Sequence, residues 1–227
     1  MKMKFGAIVV DGRGKIGGHV ASKNRAGSYL RTKVTPVNPN STSQVVVRGI
    51  LTTLAIAWRG LLAAQRLQWN NAVSAYAKTD IFGDLRNPSG FNLFQKLNNN
   101  LLGVGVAQLS VPPLPTAVAS LTTLSATQAP AGATTLTFLP AAIGAADIVI
   151  VKATAPISPG KSFVKSEFRR IGWIAQPVGS PFTATTMYNA KFGAPGVAGQ
   201  KVFFELFIIN STTGQAGAKM QCSCIVT

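Results

Sequence analysis

Few side chains in this chain could do chemistry, and they stand far apart. His19 is the sole histidine, with no carboxylate or thiol near it in sequence. A general base needs a partner to orient it, so His19 reads as a surface or contact residue. Asp80 and Asp84 are four apart and could hold a metal or share a proton. Their setting, Asp80-Ile81-Phe82-Gly83-Asp84, is that of a turn, and cap or turn duty is expected of them. Cys222 and Cys224 stand two apart in a strand-like run and face the same side. They read as small apolar side chains, not as a disulfide or a zinc pair. The run Gly12-Arg13-Gly14-Lys15-Ile16-Gly17-Gly18 lacks the Ser or Thr of a phosphate loop and the distant acid of a dinucleotide loop. It predicts a tight hairpin turn. No catalytic residue, metal or cofactor is expected.

Charge is the stronger signal. The 227 residues hold 22 Lys and Arg against 6 Asp and Glu, a formal net of +16. Residues 1–35 contribute eight basic side chains and only Asp11, a net of +7. Such a segment seeks polyanions or an acidic protein surface. Arg13, Lys15, Lys23, Arg25, Arg31 and Lys33 could track a phosphate backbone or contact a subunit, with Tyr29 as the aromatic among them. Zinc-finger spacing is absent. At 47% hydrophobic and 12% charged, the composition is not that of a disordered basic tail. The apolar run at 49–58 is bracketed by Arg48 and Arg59, too short to span a bilayer. The apolar run at 6–10 is too short for a secretory signal, which predicts folding in a cytoplasm.

Four parts must position these residues. Residues 1–37 form a basic Gly-rich arm or hairpin, with a short strand at 5–10 and extended segments at 19–21 and 28–34. Residues 38–110 are helical. Asn38-Pro39-Asn40-Ser41 is a start signal, and Val45, Ile50, Leu51, Leu54, Trp58, Leu61 and Leu62 follow at three-to-four spacing. Gly60 marks a bend. A second helical stretch covers 63–77, a loop covers 80–88, and Ser89 caps a third helix. Arg66 and Trp69 are three apart, as a cation–π or stem-packing pair would be. Trp58, Arg66 and Trp69 therefore read as packing or interface residues. Residues 111–115 carry three prolines and form a stiff joint.

From residue 116 the period changes to two. Strands are expected at 117–126, 134–138, 147–153, 163–174, 185–192, 202–210 and 221–226. They predict an antiparallel β-sandwich over 116–227, immunoglobulin-like or jelly-roll-like. The clearest hairpin covers 202–226. Its first strand has aromatics on both faces, Phe204 on one and Phe203 and Phe207 on the other. It must be central or meet another chain. The fold class is α+β.

The motifs Gly14-Lys15-Ile16-Gly17, Thr35-Pro36-Val37-Asn38-Pro39-Asn40-Ser41, then Gln44, Arg48, Trp58, Ala64-Gln65-Arg66 and Trp69, resemble a family of mostly uncharacterised phage and environmental viral proteins. The segment from Lys161-Ser162-Phe163-Val164-Lys165 to Ile171-Gly172, and the hairpin through Thr213-Gly214-Gln215, fit that family's β-sandwich tail. Leu62 stands where the family has Thr, which weakens a helix cap. The resemblance implies a virion structural role and brings no catalytic residues.

The expected function is that of a noncatalytic virion structural protein: a minor capsid, decoration or vertex component that acts by subunit packing. Its partners are other copies of itself and other virion proteins, with nonspecific contact to nucleic acid and no membrane span. Its place is the virion, after synthesis in the host cytoplasm. One alternative is a nonspecific nucleic-acid-binding protein using the basic arm. Another is a glycan- or surface-binding module that exposes Trp173, Phe182 and Tyr188.

Overall fold

A computed structural model describes residues 2–4, 12–35, 37–38, 40–130, 132–140, 143–175 and 179–227. The strand expected at 5–10 lies outside the described residues, as do Asp11, Pro36 and Pro39. The protein is mixed α+β, with four α-helices and several antiparallel sheets among the described residues. The chain divides into two compact units, Met1–Leu93 and Phe94–Thr227.

The first unit opens with β1 (Lys2–Met3), β2 (Gly14–Ile16), β3 (His19–Asn24) and β4 (Gly27–Thr32). They form one antiparallel sheet in the order β1-β4-β3-β2. Gly17-Gly18 turns β2 into β3, and the Lys33 N–H closes the end of the hairpins on the Gly18 carbonyl at 2.8 Å. Gly17 has φ +54°, a conformation that glycine takes without strain.

Helix α1 (Thr42–Gly60) follows, then α2 (Ala63–Asn71) and a 3-10 turn (Ala72–Tyr76). Ser41 holds the N-cap position but its hydroxyl makes no capping bond. The start signal acts differently: Asn38 and Asn40 accept from the Arg48 guanidinium one and a half turns into the helix, at 2.7 and 3.4 Å. The bend falls at Leu61-Leu62, just past Gly60, and turns the chain by 114°. Leu62 cannot accept a capping bond, but Gln65 Oε1 accepts from the Leu62 N–H at 2.9 Å. That supplies half of a capping box. Of the expected apolar stripe on α1, Leu54 alone is fully buried.

The loop after the 3-10 turn contains β5 (Lys78–Thr79) and β6 (Leu85–Arg86), paired antiparallel. Helix α3 (Gly90–Gly103) then starts where Ser89 Oγ accepts from the Asn92 N–H at 3.1 Å, the expected cap. Among the described residues no single helix is long and apolar enough to cross a membrane.

The second unit holds β7 (Thr123–Gln128), β8 (Thr134–Leu139), β9 (Asp147–Ala153), β10 (Arg169–Ile174), β11 (Phe182–Thr183), α4 (Thr185–Phe192), β12 (Lys201–Asn210) and β13 (Met220–Ile225). Two antiparallel sheets result, β10-β9-β12-β13 and β11-β8-β7. Both contribute to one core. Leu136 and Phe138 come from β8, Val149 and Val151 from β9, and Val202, Phe204, Leu206 and Ile208 from β12. Strand β12 lies between β9 and β13, the first of the two alternatives that its apolar faces leave open. Its outer face meets a second cluster through Ile209 and Phe207, with Val104, Ile148 and Ile150.

Residues 185–192 form a helix, not the expected strand. Thr185, Thr186 and Tyr188 favour strands by propensity. Packing overrides it: Ala184 and Tyr188, one helical turn apart, are both fully buried, and the Tyr188 N–H reaches the Ala184 carbonyl at 2.9 Å. Gly193 closes the helix at φ +88°. Two other strands are shorter than expected, because pairing begins only at Thr123 and at Arg169.

The β12–β13 turn depends on Gly214. It has φ +68°, and a Cβ there would meet the Leu97 carbonyl, 2.9 Å from its carbon. Asn100 Nδ2 also donates to the Gly214 carbonyl at 2.8 Å. Gly214→Ala is expected to cost about 2 kcal/mol, from left-handed strain plus the collision with backbone. A thermal midpoint equal to that of the parent chain would contradict this.

Candidate interaction surfaces

The register of the N-terminal sheet decides which cations act together. Lys15, Val20 and Arg31 stand opposite one another across β2, β3 and β4. Lys2, Tyr29 and Ser22 do the same across β1, β4 and β3. Val20 and Ser22 are two apart on β3, so both rows lie on one face. That face carries Lys2, Lys15, Arg31 and Tyr29. Beside Tyr29 is a cavity of about 120 Å³, lined by Lys2, Asn24, Ala26, Gly27 and Tyr29. Lys23 falls on the opposite face, with Ala21 and Leu30. Arg13 precedes β2, Arg25 sits in the β3–β4 turn, and Lys33 follows β4. The six basic residues singled out in the sequence are thus spread over two faces and the strand ends.

Acids are scarce around them. Lys4 pairs with Asp84 at 2.8 Å, and Arg86 reaches Asp80 and Asp84 at 3.4 and 3.2 Å. Among the described residues Lys15, Arg25, Arg31 and Lys33 make no ion pair. Asp80 serves the turn. Desolvation opposes its charge, but the N–H groups of Phe82 and Asp84, with Arg86, hold its carboxyl below the usual range.

Helix α1 supplies a second surface. Val45, Gly49, Thr52 and Ile56 recur at helical spacing, half a turn from buried Leu54. Val45 is 50% exposed, Ile56 58% and neighbouring Val46 57%. Nothing lies within 4 Å of where a Gly49 Cβ would be.

The remaining aromatic positions divide by burial. Trp69 is fully buried, Trp58 half-buried with its ring 5.6 Å from Phe91, and Arg66 exposed. Phe203 is half-buried beneath the Lys201 ammonium at 4.8 Å. Of the three aromatics expected to be exposed for glycans, Tyr188 is fully buried, because its hydroxyl donates to the Thr154 carbonyl at 3.1 Å inside the core. Phe182 is half-buried, and Trp173 is exposed beside the Arg170 guanidinium. Burial pushes the Cys222 thiol up to about 12, with Cys224 adding to the shift, and raises Cys224 as well. Both pack against the core as protonated thiols at neutral pH.

One polar constellation is not evident from the sequence alone: Lys152, Glu205 and Gln221 form a row across β9, β12 and β13. The signal was a charge inside each of two otherwise apolar strands, which burial permits only when the charges are paired. Burial opposes the charge of Glu205. Hydrogen bonds from Lys152 and Gln221, and the charges of Lys152 and Lys219, nevertheless hold its carboxyl below the ordinary range. A depressed carboxyl contributes stability above its unfolded pKa of about 4.3 and loses it as pH falls through the folded value. Glu205→Gln should therefore flatten the fall in melting temperature below about pH 4.5. Parallel acid profiles for the two proteins would contradict this.

The fold and these surfaces define a mixed α+β protein of antiparallel sheets with a strongly basic first unit. No protein-family model, curated protein or solved structure matches the chain.

Proposed function

We propose that the chain is a noncatalytic virion structural protein, a minor capsid, decoration or vertex component that packs on other copies of itself. The observation that carries this reading is the uncovered apolar strip of α1. Covering Val45 and Ile56 on the strip, and Val46 at its side, each about half exposed, would return about 1 kcal/mol apiece. Association itself costs about 4–15 kcal/mol. The strip must therefore work with further contacts, as it does where each subunit touches several neighbours. The resemblance of the motifs from Gly14 to Trp69 to phage proteins supports the same reading.

We read residues 116–227 as a sandwich of the immunoglobulin or jelly-roll kind. Its support is the core shared by the two sheets. The basic segment 1–37 would be the arm that meets a neighbouring subunit in the virion.

The test is the solution mass of nuclease-treated protein by light scattering. The expected parent species is a defined oligomer that persists at high salt. Val45→Asp with Ile56→Asp should convert it to monomer with an unchanged circular dichroism spectrum. An oligomer indifferent to both substitutions would overturn the reading.

The face bearing Lys2, Lys15, Arg31 and Tyr29 favours a second reading, nonspecific binding of nucleic acid. Three phosphate contacts give a slope of about −2 to −3 in log K against log salt. Lys15→Ala with Arg31→Ala should remove about two of those units. A slope left intact would dismiss that face as the contact.

A further inference from the structure

The outer face of the β9–β12–β13 region carries more positive charge than its own carboxylate can use. Glu205 is 6% exposed. Its Oε1 accepts from Lys152 Nζ at 2.8 Å and lies 3.3 Å from Lys219 Nζ, while Oε2 accepts from Gln221 Nε2 at 2.8 Å. Both ammonium groups contact one oxygen, so they stand no more than about 6 Å apart. Each also sits over the Phe207 ring, at 5.2 and 5.6 Å. The ring and the carboxylate together hold the two cations in place. An ammonium has three donors; Glu205 takes a hydrogen bond from Lys152 and meets Lys219 as an ion pair.

A cavity of about 530 Å³ opens on this row. Ser162, Phe163, Val164, Lys165 and Phe168 complete its lining. Three Lys and one Glu give it a net charge of +2. Among the described residues Lys165 makes no ion pair, and Glu167 on the same segment is paired with Lys161. Phe163 is 79% exposed, an unusual position for a phenylalanine that has only packing to do. The volume lies within the range of small-ligand sites, which combine apolar walls with a few fixed polar groups.

We propose that this cavity binds a small carboxylate borne on a ring, as in an acidic sugar or an aromatic acid. The ligand carboxylate bridges the Lys152 and Lys219 ammonium groups by charge-assisted hydrogen bonds, and Lys165 adds a third attraction. The ring lies against Phe163 and Phe168. Ser162 and Gln221 offer a hydroxyl and an amide to ring substituents. This site does not rest on the packing role proposed for α1, and its test reads a different quantity.

Calorimetric titration of the full chain at low salt with glucuronate and with benzoate tests it, using glucose and benzamide as the neutral counterparts. At least one acid should bind saturably at one site, about tenfold or more tighter than its neutral counterpart. Lys165→Gln should weaken that acid severalfold with an unchanged melting temperature, since Lys165 is exposed and makes no ion pair among the described residues. Lys219→Gln should weaken it severalfold with only a small fall in melting temperature, from the lost contact with Glu205. A preference for glucuronate identifies an acidic sugar and a preference for benzoate an aromatic acid. Absence of saturable binding by either acid, equal binding of the neutral compounds, or full affinity in Lys219→Gln would each overturn the proposal.

Discussion

Replacing Phe204 by Ala is expected to destabilise the second unit by about 3–5 kcal/mol, the range for removing a fully buried aromatic side chain. Phe204 is at the centre of β12, paired to Ala153 on one side and Cys222 on the other. Its ring lies 6.1 Å from Tyr188, tilted at 49°. Strand pairing holds the backbone on both sides, so the cavity left by the ring cannot collapse readily. Phe203 is next to it on the opposite face and only half-buried, under Lys201. Phe203→Ala should cost about 1 kcal/mol, the order expected for a half-covered side chain. Denaturant midpoints measure both. Equal losses would mean that the two faces of β12 are equally packed, contrary to the burial described.

Period-two patterning made this strand legible. Val202, Phe204, Leu206 and Ile208 alternate with Phe203, Glu205, Phe207 and Ile209, and apolar residues on both faces leave either a central strand or one that meets another chain; pairing to β9 and β13 makes it central. At 185–192 strand-prone Thr and Tyr obscure the helical spacing of Ala184, Tyr188 and Phe192. Gly193, followed two residues later by Pro195, is the helix stop there. The basic N-terminal sheet was legible as hairpin turns but not as a face. Placing Lys2, Lys15, Arg31 and Tyr29 together needs the strand register, and a shift of one residue would exchange them for Lys23 and its neighbours. The Lys152–Glu205–Gln221 row was hidden for a related reason: its members lie 53 and 16 residues apart. Only strand pairing brings them side by side.

Trp69→Ala is expected to destabilise the first unit by about 3–5 kcal/mol. In the sequence Trp58, Arg66 and Trp69 read alike, as packing or interface residues at helical spacing. Burial separates them. Trp69 is wholly enclosed near the end of α2, and Arg66, one turn earlier, is exposed. Arg66→Ala should therefore change stability by no more than about 0.5 kcal/mol, as surface substitutions do. If self-association weakens in Arg66→Ala while the melting temperature holds, Arg66 is a subunit contact. The same loss of association in Trp69→Ala has another cause, because the unit that carries α1 is itself destabilised. Hydrogen exchange within residues 42–76, read together with solution mass, distinguishes the two outcomes. Retained protection there in Trp69→Ala would show that the indole is not the core residue its burial makes it.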